Sequence, residues 1–400
     1  MARLLLISNG HGEDFSGALL AVELKQLGHN VDAFPLVGKG NAYKKAGIKI
    51  DVRRKEFSTG GLGYTSFLGR ITELLQGQHF YLLWSFIRLL VSSSKYDLLI
   101  VVGDVLPVLA AWMSCKDFVV YLVAYSSHYE GVLKLPWPAA NCLRSRRCLE
   151  LYTRDNLTAE DLGEQLNRSV VFFGNPFMDP VLTPKKQFPE KIFRLGVLPG
   201  SRRPELDNNL LMVLRVLKCL PKPIFANTTF SFDMALVDAL STSDLNELIA
   251  SNGWHIIEHS LQSNSFTLSS GFCWLKVHRE SFVELLQSSD AFLCMAGTAT
   301  EQAIGLAKPV IQLPGKGPQF TSSFAEAQRR LLGPTVFCAE TNITEGNNIF
   351  FDTSHLILEV CNRMTKANKL QSLCYQQAGL RLGTKGGTKR IAQSINHLIL

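Results

Sequence analysis

"FRLGVLPGSRRPELDNNLLMVLRVLKCL", residues 193–220, decides the fold. It reads as strand, glycine turn and helix, with Pro204 tolerated in the first helical turn. The same order has already occurred at the N-terminus. There the apolar run Leu4 to Ile7 leads through a Gly-rich turn into Phe15, Leu19, Leu20, Val22, Leu24 and Leu27, and Gly28 ends the pattern. Between the two starts, "NVDAFPLV", "YDLLIVVGD" and "DFVVYLVAY" read as strands. Continuous apolar strands alternating with helices predict parallel, doubly wound sheets.

A pattern that begins twice predicts two Rossmann-like α/β domains facing a central cleft, with ligands beyond the carboxyl ends of the strands. The expected boundaries are an N-terminal domain over 1–178, a linker over 179–191, a C-terminal domain over 192–375 and a helical tail over 376–400. "DPVLTPKKQFPEKIFR", with three prolines and several charges, is the basis for the linker. In the second domain "PKPIFANT" and "GWHIIE" are expected as strands. "RESFVELLQSSDAFLCMAGTATEQAIGLAKPVIQLP" is expected as helix, strand, tight turn, helix and strand.

Composition agrees with two folded domains. Of 400 residues, 46% are hydrophobic and only 19% charged, enough for two cores and too apolar for extensive disorder. The net charge of +7 suits an anionic ligand or an anionic membrane surface. Basic residues are dispersed and not interleaved with aromatics, so no nucleic acid partner is expected. Nine cysteines without a CxxC pair fit a reducing compartment, and a cytoplasmic location is expected. The N-terminal apolar run is too short for a signal peptide. The uncharged apolar stretch from Leu74 to Ile87 is shorter than the ~20 residues that span a bilayer.

Two turns of the second domain could carry ligand chemistry. In "LPGSRRPEL", Gly200 turns the chain, Ser201 and Arg202 follow, and a helix N-terminus comes next, where free N–H groups favour an anion. Arg202 adds a fork-shaped charge suited to phosphate; alternatively it is a solvated arginine on a tight turn. In "MAGTATEQAIGLAKPVIQLP", residues 295–314, Thr298 and Glu301 have the spacing of a capping box, which would make the glutamate purely structural. The small residues Gly297, Thr298 and Thr300 equally let a phosphate approach backbone N–H groups. A carboxylate one turn in can accept both hydroxyls of a ribose.

"LPGSR" followed about a hundred residues later by "GTATEQAIGLAKPVIQLP" resembles the donor half of GT-B glycosyltransferases of the lipid-A-disaccharide synthase type. The likeness is greatest to the cyanobacterial and plastid group of lipid-A-disaccharide-synthase-related proteins. It extends to "SNGHGEDFSGA", "YTRDNLTAEDL", "VFFGNPFMD" and "GGTKRIAQSI". The resemblance implies a UDP-linked sugar donor, no cofactor, no metal and inversion at the sugar. Carried onto this sequence, Arg202 meets the diphosphate, Thr298 and Thr300 hold phosphate, Glu301 holds the ribose, and Gln319 in "GKGPQF" meets the sugar.

The acceptor side is expected in the first domain. His11 lies between two glycines after the first strand, and an imidazole is a suitable general base at neutral pH. Glu13, Asp14 and Asp104 are the nearby carboxylates: Glu13 and Asp14 could act as base or cap the next helix, and Asp104 could orient His11 or bind the acceptor. The sequence departs from lipid-A-disaccharide synthase itself at His11 and at Val108, where a carboxylate is expected.

The apolar segment over 74–91, flanked by Arg70, Arg88 and Lys95, is either a buried helix or a peripheral membrane contact that would serve a lipid acceptor. "HIIEH" at 255–259 has the spelling of a zinc site, but its neighbours favour a strand, and on a strand the two rings would stand roughly 13 Å apart. "GKG", at Gly38 and again at Gly315, lacks the Ser or Thr of a Walker loop. Two other functions share the same pattern: a UDP-sugar 2-epimerase, and a non-catalytic nucleotide-sugar-binding protein at the membrane.

Overall fold

Six strands form the first sheet: β1 (Arg3–Ser8), β2 (Asn30–Pro35), β3 (Lys49–Ile50), β4 (Leu98–Gly103), β5 (Phe118–Leu122) and β6 (Cys148–Thr153). All pair in parallel, in the order β3-β2-β1-β4-β5-β6. β4 and β5 are buried throughout, as strands covered on both faces must be. The alternation within β1 shows how. Leu5 and Ile7 enter one core with Val101, Val108 and Leu162, while Leu4 and Leu6 enter another with Ala18, Ala21 and Ile391.

In this computed structural model every residue is described except 52–77, 186–187, 189–191, 228, 261–263, 315–321, 340–347, 367 and 400, with the backbone alone described at 11, 78–83, 258–260 and 322–325. The chain divides into two compact units, Met1–Asp179 with Arg381–Leu400, and Pro180–Leu380.

The second unit carries an eight-stranded sheet: β7 (Phe193–Leu198), β8 (Phe230–Ala235), β9 (His255–Ser260), β10 (Ser265–Ser270), β11 (Cys273–His278), β12 (Ala291–Cys294), β13 (Val310–Gln312) and β14 (Val336–Cys338). Its order is β14-β13-β12-β7-β8-β11-β10-β9, and the six strands from β14 to β11 are parallel. β10 and β9 add an antiparallel extension, so the sheet is mixed rather than purely parallel. "HIIEH" lies in β9, the strand its neighbours predict. "PKPIFANT" does not form a strand. Lys222–Ala226 is a short helix, since Pro221 and Pro223 offer no ladder N–H and suit the first helical turn, and β8 begins only at Phe230.

The described part of the expected linker and the C-terminal helix each pack against one unit. Gln287 donates to the carbonyls of Val181 and Thr183 at 2.7 Å each and accepts from the Lys185 N–H at 2.9 Å. Phe188 donates its N–H to Ser288 Oγ at 3.1 Å and stacks on His278 with centroids 4.7 Å apart. The described part of the expected linker is therefore laid along the second unit. The C-terminal helix Gly387–Ile399 places Ile391, Ala392 and Ile395 in the first unit's core. Asp179 caps it, accepting from the N–H groups of Gly386 (2.5 Å) and Thr388 (2.9 Å).

Candidate functional site

Both sheets reverse their winding at one place. From β1 the chain crosses to β2 on one side, and from β4 to β5 on the other; from β7 and β12 it does the same. Such a switch point leaves a crevice beyond the carboxyl ends of two adjacent strands, where α/β sheets take their ligands. In the second unit the two loops at this point are the two singled out by sequence.

β7 and β12 are paired through Leu198 and Cys294, and the Met295 N–H extends the ladder to the Leu198 carbonyl at 2.8 Å. Gly200 follows with φ of +110°, and a Cβ there would stand 3.2 Å from the Met295 carbonyl oxygen. The glycine is thus required twice, by its conformation and by the approach of the other loop. Asn209, fully buried, donates Nδ2 to the Pro199 carbonyl at 2.9 Å and holds the turn from below.

The two arginines of the turn have opposite surroundings. Arg203 is held by Asp207 at 2.9 Å and by Asp244. Arg202 is exposed, like Ser201, and among the described residues its side chain makes no hydrogen bond or ion pair. The following helix, Glu205–Cys219, begins with Glu205 and Asp207, whose charges already occupy the positive end of its dipole. It is a poor place for phosphate, contrary to the sequence expectation.

The helix Gly297–Gly305 has the opposite character. Its N-cap is Ala296, no side chain caps it, and no acidic residue lies in its first turn. The capping box expected from Thr298 and Glu301 does not form, because the helix begins two residues too early for Thr298 to be the cap. Among the described residues, the first-turn N–H groups therefore have no capping side chain. Thr298 is exposed beside them, and Glu301 is half-buried one turn in. Thr300 is a correction: its hydroxyl is fully buried, donating to the Ala296 carbonyl at 2.6 Å, with Cys294 Sγ at 3.2 Å. It fixes the turn from inside and is not available to phosphate. Burial also raises the Cys294 thiol to about 11. Gln319 lies outside the described residues.

At the first sheet's switch point, β1 ends in Ser8 and the helix His11–Gln26 begins after Asn9 and Gly10. The backbone thus sets His11 at the first helical position, at the carboxyl edge. Asp14 is buried and accepts from Ser8 Oγ at 2.6 Å, and Ser8 in turn accepts from the Tyr43 hydroxyl at 3.0 Å. Glu13 is folded back, its Oε2 lying 2.8 Å from where a Gly10 Cβ would stand. Asp104 caps the helix Val105–Met113 through the Leu106 N–H at 2.9 Å and accepts from Asn9 Nδ2 at 3.0 Å. Burial raises its carboxyl, with those two hydrogen bonds acting against the rise. Val108, one turn further, packs in the core, so the position is no place for an exposed carboxylate. Asn9 and Asn209 were not singled out by sequence; an asparagine carries no spacing signal of its own.

Of the apolar segment 74–91, residues 74–77 lie outside the described residues, and a helix covers Gln78–Ser93. Leu89 is buried, whereas Trp84, Ile87 and Val91 are exposed along one stripe, with the Arg88 guanidinium over the Trp84 ring. No helix among the described residues is long and apolar enough to cross a membrane.

No protein-family description matches the sequence, and no curated protein does. Solved structures of the same fold do. The calicheamicin glycosyltransferase CalG4 superposes with a TM-score of 0.62 at 16% identity, over 100% of this chain and 98% of that one. A Listeria monocytogenes protein described as a UDP-N-acetylglucosamine 2-epimerase gives 0.56 at 12% identity, over 100% and 96%. Staphylococcus aureus MnaA, in a co-structure with UDP, gives 0.56 at 14%, over 100% and 97%. At such identities the likeness establishes the fold. The chain has the two-domain α/β architecture of GT-B proteins.

Proposed function

We propose that this protein is a metal-independent, inverting glycosyltransferase that moves a hexose or N-acetylhexosamine from a UDP-sugar to a lipid-linked acceptor at the cytoplasmic membrane face. One observation carries the reading. Two loops about a hundred residues apart in sequence meet at the switch point of the second sheet and bring an unpaired arginine, Arg202, to the edge where an uncapped helix, Gly297–Gly305, begins. An anionic diphosphate satisfies both features, and Glu301 one turn along would take the ribose hydroxyls. Neighbours of this fold include glycosyltransferases and a UDP complex, which supports a nucleotide-sugar donor.

In the reaction, Arg202 and the N–H groups of Gly297 and Thr298 stabilise charge as it develops on the leaving diphosphate, the task a divalent cation performs elsewhere. The acceptor hydroxyl attacks the anomeric carbon, and its proton passes to a base at the carboxyl edge of the first sheet, where His11, Glu13 and Asp104 lie. The exposed stripe of Trp84, Ile87 and Val91 with Arg88 supports a peripheral contact with an anionic membrane, and with it a lipid acceptor.

Lipid mass spectrometry of cells with and without the protein tests the reading, because a single missing glycolipid reports sugar and acceptor together. Unchanged lipids in the presence of tight UDP binding would support the non-catalytic alternative. The 2-epimerase reading, which the Listeria neighbour favours, predicts a new UDP-sugar when the protein is incubated with UDP-N-acetylglucosamine alone.

A further inference from the structure

One face of the first sheet is covered by three helices, Gln78–Ser93, Val105–Met113 and Ala139–Arg144. The first packs against the second and the second against the third, and Leu89, Val108, Ala111, Cys142 and Leu143 bury their inner sides in one core. These three helices contain no aspartate or glutamate, whereas His11–Gln26, on the opposite face of the sheet, carries Glu13, Asp14 and Glu23. Each helix also has an exposed tryptophan: Trp84 in the first, Trp112 in the second and Trp137 just before the third.

Two of the rings lie against a guanidinium. Arg88 stands 5.1 Å from the Trp84 centroid, and Arg147 stands 5.7 Å from that of Trp112 while donating to the Trp112 carbonyl at 2.8 Å. A cation is thereby kept at the level of each exposed ring. Trp137 is the most prominent, 87% exposed, with Val132 nearby in sequence at 72%. The chain between them is anchored. Leu133 is buried, its N–H donates to Asp161 at 2.8 Å, and its carbonyl accepts from Gln165 Nε2 at 3.0 Å. From Gly131 to Cys148 the sequence holds Lys134, Arg144, Arg146 and Arg147 and no carboxylate.

Large apolar side chains gathered on one exposed layer mark an interaction surface, and here Trp84, Ile87, Val91, Trp112, Met113 and Trp137 share one. Tryptophan beside arginine and lysine, without carboxylates, matches the headgroup boundary of an anionic bilayer. A second copy of the chain is a poorer fit. A two-fold interface would set this layer against itself, bringing cations together with no carboxylate from the three helices of either copy.

We propose that the three-helix layer is a membrane-docking face of the first unit, that its partner is an anionic lipid bilayer, and that Trp137 is a side chain that enters it. The inference rests on the peripheral contact proposed above for Gln78–Ser93 and extends it to the two neighbouring helices.

The test uses full-length protein and vesicles of phosphatidylcholine, with or without phosphatidylglycerol as about a third of the lipid. Co-sedimentation is expected with the anionic vesicles, and it should weaken several-fold as salt is raised. Brominated lipids in those vesicles should quench tryptophan emission, and W84F, W112F and W137F should each remove part of the quenched signal. Trp254 and Trp274, in the second unit, supply the unquenched remainder. W137A should weaken vesicle binding by roughly tenfold or more with an unchanged melting temperature, since so exposed a ring contributes little to the fold. Quenching that vanishes in W84F alone overturns the three-helix face and leaves the contact of the first helix standing. Absence of quenching strikes the membrane contact as a whole. Equal binding to neutral vesicles, or a dimer in light scattering that dissociates in W112A, overturns the choice of partner. UDP titration of the same samples reads the donor site separately, so each reading can fail alone.

Discussion

Arg202 and Arg203 are adjacent in sequence, carry the same charge and are both exposed, yet the structure assigns them opposite roles, and that contrast can be measured. Arg203 is committed to Asp207 and Asp244 within its own unit, whereas the Arg202 side chain has no partner among the described residues. If Arg202 meets the diphosphate, R202A removes charge-assisted hydrogen bonds worth about 1.5–3 kcal/mol in such settings. At 1.4 kcal/mol per tenfold change, UDP affinity should fall by roughly 10- to 150-fold. Protein stability should hardly change, because no intramolecular contact is lost. R203A should do the reverse, leaving UDP affinity within about twofold, since its removed contacts are exposed ion pairs of modest worth. Isothermal calorimetry with UDP at fixed ionic strength, paired with thermal melts, gives both quantities. Equal loss of UDP affinity in the two variants, or none in R202A, would refute the reasoning, because it would mean that the pairing seen at Arg203 does not decide which guanidinium is available.

Three further outcomes follow from the same geometry. G200A should lower the melting temperature and weaken UDP binding together, because an alanine at φ of +110° costs about 1–3 kcal/mol and its methyl would press on the Met295 carbonyl; a melt and a calorimetric titration check it. T300V should cost about 1 kcal/mol of stability by denaturant titration while UDP affinity is retained, since the lost hydroxyl bonds only Ala296 and Cys294; a large loss of affinity would restore Thr300 as a phosphate ligand. For Asp233, burial pushes the carboxyl up, but His278, Ser231 and the charge of Arg194 outweigh it and hold the group below its ordinary value. Its stabilisation is then complete above an unfolded-state pKa of about 3.9 and is lost as pH falls through the lower folded value, so melts between pH 7 and pH 2.5 should show a steeper acid decline in wild type than in D233N.

The parallel core was legible because strands buried on both faces are continuous apolar runs, as "YDLLIVVGD" and "DFVVYLVAY" are. The antiparallel extension was not. β10 and β11 alternate buried and half-exposed residues, Phe266 and Leu268 inward and Thr267 and Ser269 outward, and such half-covered strands lack a continuous apolar signal. The two donor loops were legible from their glycines and small residues. The direction in which each side chain turns was not, for Thr298 and Thr300 have the same chemistry and only packing against Cys294 separates them.

The seating of Ile391, Ala392 and Ile395 among β1 and its neighbours has a consequence for biosynthesis. Residues 180–380 are all synthesised before residues 381–400, so the unit made second can finish folding first. The unit whose synthesis began earliest must wait for the helix Gly387–Ile399, made after the whole of the other unit. A nascent chain arrested after Leu380 would therefore expose the apolar seat of that helix, and premature termination there would yield a protein with one finished half and one that invites chaperones.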